Sequence, residues 1–518
     1  MLIEAITEAY TGNQDKTALI IDEKQWSFEE LIRGVRQQAD VLKQSGVRQG
    51  DRVISLLPNG WHATVMLLAC AQIGSTYVPM PLSSTTSALA TATAAVSAQH
   101  IVLWYGVTET HNEIFANAVV FEVQPDDPLA RLVSVGAQVA QASIAPSSID
   151  KSGGTSRRSS TPFILTMTSG STGAPKPIML SQATKLLRAR AAIATYNLTR
   201  TDTTLIATPL YHSLAQRLLL VSLLSGGSVV ILPKFTQNLW LASIASYQVT
   251  FTIAVSSQLV PLIDLPDAEI AKLASLKTLV SSSALMNLSD KEQLLPRLDC
   301  HFHECYGASE VAIVTDVQFG EDSPLGTVGR PLPGVRIKIL DSDNKPCATN
   351  SVGEICVQSP YHFSGYYQCE AATKAAFDQG FFKTGDLGYV DCRGYLFYAG
   401  RKKDVIISGG INIYPNDVEQ ALESLTGVAE AAAFPVPDDQ LGEVVAVALV
   451  AEPATILNAH YLRLEIFDRL ADYQLPRHWY FVESLPKTAL GKLQRFRLAQ
   501  LHQCRKQPNE TTSAGLNS

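Results

Sequence analysis

The chain has 518 residues, more than one hydrophobic core usually serves, so two or more domains are expected. Its 46% hydrophobic and 17% charged residues are the balance of an ordinary soluble globular enzyme, and a net charge of −7 argues against a general affinity for nucleic acid. Met1-Leu2-Ile3-Glu4 enters an acidic, helix-like start with no basic stretch before an apolar core, so no secretory leader is expected. The most apolar run, Val65 to Ile73, is too short to span a bilayer. Eight scattered cysteines form no C-x-x-C pair and read as reduced thiols in a cytoplasmic protein.

In chain order, residues 27–45 predict a helix with Ser27 as N-cap and Glu30 completing a capping box. Arg52 to Leu57 reads as a short buried strand, 60–73 as the next helix and Thr76 to Pro81 as the following strand. This β-α-β alternation implies parallel strands with crossover helices. Residues 83–98, rich in Ser, Thr and Ala, fit either a helix or a loop, and Ser143 to Thr161 reads as a polar, mobile connection. Strand-like runs return at Thr204–Ala207, Ser228–Leu232 and Thr250–Val255, separated by helical patterns. From about 325, short runs broken by Gly and Pro suggest a β-rich subdomain. After Gly400 to Asp404 a compact α+β unit is expected, with a helix at 415–424 and strands near 428–434 and 444–450. The boundaries that follow are a large domain over 1–402, a small one over 403–503, and a polar, disordered tail over 504–518.

The most informative segment is Thr166-Met167-Thr168-Ser169-Gly170-Ser171-Thr172-Gly173-Ala174-Pro175-Lys176. Glycines let backbone N–H groups turn toward a ligand, hydroxyls add donors and the lysine adds a mobile positive charge. These are the parts of a phosphate cradle, although the spacing is not the Walker pattern and, alone, the segment also fits a flexible surface loop. His301-Phe302-His303-Glu304-Cys305 superficially suggests a metal cluster, but no second ligand pair lies nearby. Further on stand Tyr306-Gly307-Ala308-Ser309-Glu310, Thr384-Gly385-Asp386, Gly400-Arg401-Lys402-Lys403-Asp404 and Pro486-Lys487-Thr488-Ala489-Leu490-Gly491-Lys492.

In this order, the five segments resemble the adenylate-forming superfamily of acyl-CoA synthetases, peptide-synthetase adenylation domains and beetle luciferases. The resemblance covers roughly residues 10 to 500. It implies an α/β fold: a large N-terminal domain of two α/β sheet subdomains plus a β-rich subdomain, followed by a small mobile C-terminal α+β domain. It implies that Thr168, Ser169, Gly170, Ser171, Thr172, Gly173 and Lys176 hold the β- and γ-phosphates of ATP, and that Glu310 holds Mg²⁺. By the same resemblance Tyr306 stacks on adenine, Ser309 meets the α-phosphate, and Asp386 and Arg401 reach the ribose. Ser283, Ala284, Glu304 and Gly307 complete the nucleotide site. Lys492 would bridge the carboxylate and the α-phosphate in the transition state. Lys403 falls at the hinge, and Ser408-Gly409-Gly410 would face the active site after domain rotation and admit a pantetheine arm.

The acyl pocket implied by the resemblance includes His212, Ala215, Gln216, Ser282 and Ser283, with His212 in the gating motif Thr208-Pro209-Leu210-Tyr211-His212-Ser213. No aspartate neighbours His212, which disfavours a free α-amino acid. Ser282 and Ser283 stand where the family usually has two glycines, which puts a long alkyl chain in doubt, and Pro177 stiffens the end of the phosphate loop. Arg217 fits a structural ion pair, or less readily a contact with the second carboxylate of a dicarboxylic acid. The expected activity is that of a carboxylic acid:CoA ligase using ATP, Mg²⁺ and CoA through an acyl-AMP. Alternatives are an acid:carrier-protein ligase loading a phosphopantetheinyl carrier protein and, from another class, a non-catalytic nucleotide-binding protein. A monomer or homodimer is expected.

Overall fold

A computed structural model describes residues 1–107, 118–135, 161–167, 176–320, 322–488 and 491–506. Among these, the strands form four sheets. The first has seven strands in the spatial order Ala130–Val135, Val119–Val123, His100–Trp104, Arg52–Leu56, Thr76–Pro79, Pro162–Thr166, Ile178–Ser181. Its five inner strands are parallel, and both edge strands are antiparallel. The second has nine, in the order Arg330–Pro331, Ala312–Gln318, His301–Ala308, Thr278–Ser282, Phe251–Val255, Thr203–Ile206, Ser228–Ile231, Thr17–Ile21, Lys24–Ser27.

The helices between these sheets are built by their apolar faces. Phe28–Gln44 starts with the expected capping box: the Glu30 N–H donates to Ser27 Oγ and the Ser27 N–H to the Glu30 carboxylate. It buries Leu31, Ile32, Val35, Ala39 and Leu42 at helical spacing. Trp61–Ile73 is apolar around its circumference and is buried accordingly, from Val65 through Ala71. It ends at Gly74, whose φ of +82° closes the helix in the left-handed region. The stretch that fitted helix or loop is the helix Thr86–Val96, capped by Thr85.

The third sheet is antiparallel and carries Arg336–Leu340, Gly353–Gln358, Phe381–Val390 and Phe377–Asp378, with Leu396–Arg401 paired to Phe381–Val390. This is the β-rich unit expected after residue 325. The fourth contains Ile411–Ile413, Ile406–Ser408, Gly442–Ala451 and Val428–Asp438, plus His478–Phe481 alongside Gly442–Ala451. Helix Pro415–Glu423 packs on it, with a core of Ile413, Val418, Leu422, Val445 and Val447. The helix Arg495–Lys506 runs past the boundary expected at 503, anchored by buried Leu498. Residues of the expected tail beyond 506 lie outside the described residues, as does the connection over 143–160. No helix among the described residues is long and apolar enough to cross a membrane.

Candidate active site

A cavity of about 2190 Å³ opens where the large sheets meet the third sheet and the C-terminal unit. Phe251–Val255, Thr278–Ser282 and the first residues of His301–Ala308 run parallel, so their carboxyl ends point the same way. Ligands of open α/β sheets sit beyond such ends. Ser282, Ser283, Ala284, Glu304, Tyr306, Gly307, Ser309 and Glu310 all line the cavity. Ser283 holds φ at +76°, a left-handed conformation that costs a serine but not a glycine. At Gly307 an added Cβ would lie 2.0 Å from the Ala312 carbonyl oxygen, so the close return of the chain there requires glycine.

Asp386 and Arg401 face each other directly across two antiparallel strands. Arg401 Nε lies 2.7 Å from one carboxylate oxygen of Asp386, and the Tyr306 hydroxyl donates to the other at 2.7 Å. Burial pushes the Asp386 carboxyl upward, while Arg401, Tyr306 and Lys492 pull against it. Burial also works against the Arg401 charge, but Asp386 and the tyrosines outweigh it and hold the guanidinium above its ordinary value. A buried carboxylate ion-paired to a guanidinium and accepting one hydroxyl is a preorganised acceptor with an oxygen still unfilled.

Glu310 accepts a hydrogen bond from the Tyr366 hydroxyl at 3.1 Å, and Lys176 Nζ lies 5.9 Å from the centroid of that ring. One tyrosine thus joins the expected cation ligand to the lysine that ends the phosphate segment. The chain around Glu310 is fixed by Arg188, which donates to the carbonyl oxygens of Ser309, Glu310 and Tyr361. No group of three His, Cys, Asp or Glu forms a metal cage among the described residues. A single carboxylate beside the segment expected to hold phosphates nevertheless fits Mg²⁺, which takes one or two carboxylates and completes its shell with water and phosphate oxygens. Thr168, Ser169, Gly170, Ser171, Thr172 and Gly173 lie outside the described residues.

Lys492 reaches the cavity from the turn closed by the Lys487–Leu493 bridge. Burial and then Arg401 lower its amine below the ordinary value, against the pull of Asp386 and Glu310. His212 caps the helix Ser213–Ser225; its ring lies 4.3 Å from that of Tyr211, and its buried Nε2 has no hydrogen-bond partner. Burial, aided by Lys492, lowers the imidazole to about 4, so it is neutral at pH 7. Lys403 lines the cavity edge in the short turn Lys402–Asp404. Ser408-Gly409-Gly410 forms a hairpin turn, its glycines exposed with φ of +55° and +83°, and does not line the cavity.

Two residues expected in the acyl wall do not line the cavity. Ala215 packs into the core with no exposure. Gln216 is likewise fully buried, accepts from Lys185 Nζ at 2.8 Å and donates to the Leu210 carbonyl. The cavity instead meets Ser213, Leu214, Arg217 and Leu220, because helical spacing turns 215 and 216 inward. Glu304 does line the cavity, but its carboxylate is engaged by the buried amine of Lys291 and by the Met286 N–H. Sequence reasoning missed Lys185 and Arg188, buried cations three residues apart on the apolar face of Gln182–Thr195. Their position among Leu186, Ala189 and Ala192 was the available signal.

Such a cavity, ringed by lysine and arginine, holding a buried carboxylate and closed by a lysine from a separate unit, belongs to an enzyme that handles an anionic nucleotide. The AMP-binding enzyme family model matches residues 6–367, and the AMP-binding enzyme C-terminal domain matches 417–492. The chain belongs to the AMP-binding enzyme family. It is 31% identical to an indoleacetate–CoA ligase of Aromatoleum aromaticum, covering 94% of this chain and 95% of that enzyme. To a 2-succinylbenzoate–CoA ligase of Bacillus velezensis it is 32% identical, with 94% and 95% covered. Among solved structures, ATP-bound MatB from Rhodopseudomonas palustris superposes with a TM-score of 0.86 at 26% identity, covering 98% of this chain and 100% of that one.

Proposed function

We propose that this chain is a carboxylic acid:CoA ligase that joins an acid to AMP, releasing pyrophosphate, and then passes the acyl group to the CoA thiol. The observation that carries the reading is Lys492, brought by the C-terminal unit into one cavity with Asp386, Arg401, Glu310 and His212. The names of the two CoA ligases above support the overall reaction.

In the first half-reaction an acid oxygen attacks the α-phosphorus of ATP, and the bond to pyrophosphate breaks. Two anions must meet, so positioned cations and donors are what the site must contribute. Asp386 accepts from the ribose hydroxyls and Arg401 reaches the same sugar. Tyr306 flanks the adenine, and Ser309 meets the α-phosphate. Lys176 and the hydroxyl-rich segment before it hold the outer phosphates. Glu310 would hold Mg²⁺, which when bound neutralises phosphate charge. Lys492 lies where charge develops between the acid and the α-phosphate, and neutral His212 presents an uncharged wall to the acid. The thioester step requires the C-terminal unit to pivot at Lys403 and present Ser408-Gly409-Gly410. A cytoplasmic setting suits the seven cysteines from Cys70 to Cys392, which are free thiols.

A second reading, delivery to a carrier-protein thiol, is favoured by one relative, the Streptomyces coeruleorubidus enzyme ScoC named as a fatty acid–[acyl-carrier-protein] ligase, at 28% identity. The deciding experiment offers the protein ATP, Mg²⁺ and a panel of acids and follows pyrophosphate, then adds CoA or a phosphopantetheinylated carrier protein. The expected result is acid-dependent pyrophosphate release followed by acyl-CoA. Absence of pyrophosphate release with every acid overturns the ligase reading, and thioester on the carrier alone replaces CoA as acceptor.

A further inference from the structure

Arg217 lies on the helix Ser213–Ser225 and lines the cavity with Leu214 and Leu220. Its Nη1 is buried without a hydrogen-bond partner, and no carboxylate among the described residues forms an ion pair with it. The structural ion pair open to it in the sequence is not made among the described residues. Asp316 influences Tyr196 and Cys305, as Arg217 does, but its two oxygens are occupied by the Tyr196 hydroxyl at 3.1 Å and by His303 Nδ1 at 2.8 Å. Glu310 is engaged by Tyr366.

Arg217 has two cationic neighbours. Lys185 and Arg188, on the adjoining helix Gln182–Thr195, also line the cavity. Among the described residues, Lys185 donates to Gln216 and has no paired acid, and Arg188 donates to carbonyl oxygens, with the Glu310 carboxylate nearby. Burial lowers the Lys185 amine well below its ordinary range, and Arg188 and Arg217 lower it further by repulsion. A buried cation without a counter-charge is costly, and of the three basic groups on this wall Arg217 is the one whose buried nitrogen lacks a partner. The protein has left room for an anion here.

We infer that the acid activated by this enzyme is a dicarboxylic acid, with Arg217 receiving its distal carboxylate. The inference rests on the ligase reading above, since it concerns the far end of the acyl group. The reacting carboxylate belongs near His212 and Lys492. Arg217 stands five residues beyond His212, about 7.5 Å along the helix axis, which suits a linear diacid of roughly four to seven carbons. Leu214, Leu220 and Ile313 supply an apolar wall for the intervening methylenes. A guanidinium is the side chain best shaped to hold a carboxylate through two parallel hydrogen bonds.

The test compares adipate and shorter diacids with their monomethyl esters and with hexanoate, following pyrophosphate release. The ester keeps the length of the diacid and removes one charge. Wild-type protein should prefer a diacid over its monoester by tenfold or more in kcat/KM. Arg217→Met should abolish that preference while the KM for ATP and activity on the monoester hold, and Arg217→Lys should restore part of it. A wild-type preference for the ester or for hexanoate overturns the inference and leaves the ligase reading standing. So does a rise in the ATP KM of Arg217→Met, which would mean that the cations serve the triphosphate. If no acid supports pyrophosphate release, the ligase reading fails and this inference with it.

Discussion

Lys492 and Asp386 are both charged and both in the cavity, yet their removal should read out differently. Lys492 approaches from the C-terminal unit and is flanked by Arg401, Asp386 and Glu310. Its contribution is charge stabilisation where charge develops, an effect realised in the transition state. Lys492→Ala should therefore lower single-turnover pyrophosphate release by on the order of a hundredfold or more, while calorimetry shows ATP binding little changed. Near wild-type release would show that Lys492 has another role. Asp386, by contrast, is set by Arg401 and Tyr306 before any ligand arrives. Asp386→Asn keeps the shape but loses the charge, and charge-assisted hydrogen bonds contribute about 1.5–3 kcal/mol each. The ATP KM should rise by tenfold or more; an unchanged KM would exclude a ribose contact.

At the scale of elements, the strand end at Ser282-Ser283 carries a conflict between residue and backbone. A non-glycine residue in the left-handed region costs about 1–2 kcal/mol, and glycine gives back about 0.5–1 kcal/mol through its freer unfolded chain. Ser283→Gly should thus raise stability by up to about 1.5 kcal/mol, seen as a higher urea midpoint at unchanged slope. The same change removes a hydroxymethyl group from the cavity wall and should widen the range of accepted acids. A lowered midpoint would mean that the serine is held by a contact worth more than the strain. The sequence carried the elements whose signals are local: the capping box at Ser27, the largely apolar helix Trp61–Ile73, and the motif segments around Tyr306 and Asp386. It could not carry what depends on rotation about a helix axis and on partners distant in the chain. Ala215 and Gln216 sit beside His212 in sequence but face inward, while Arg217 faces the cavity. Likewise Glu304 lies in a site motif, yet its partner Lys291 comes from a helix outside every motif. Arg188, which clamps the Glu310 turn, is separated from it by 122 residues.

For the whole molecule, the joint between the large domain and the C-terminal unit should be sensitive to pH. Asn287 of the large domain donates to Glu423 at 2.7 Å, and the Ala431 N–H donates to the other carboxylate oxygen at 3.0 Å. Burial raises the Glu423 carboxyl to about 8; the Ala431 N–H opposes this, and Glu419, Asp290 and Glu430 add to it. Two of those acids have cations of their own, Arg495 on Glu419 and Lys487 on Glu430. When the unit swings away and Glu423 meets water, its carboxyl should return toward the ordinary value of 4.5. The closed arrangement then binds more protons than the open one between about pH 4.5 and 8, so raising the pH through that window weakens closure, with no further loss above it. Glu423→Gln stays neutral throughout, keeps an acceptor for Ala431 and leaves Asn287 free to turn its amide. Because closure places Lys492 in the cavity, pyrophosphate release in a single turnover should respond. The ratio of variant to wild-type rate should be near one at about pH 4.5, rise steadily through pH 6 and 7, and level off above about pH 8, other titrations cancelling in the ratio. A ratio independent of pH would mean that Glu423 ionises without disturbing the joint, and that closure is held by contacts indifferent to its charge.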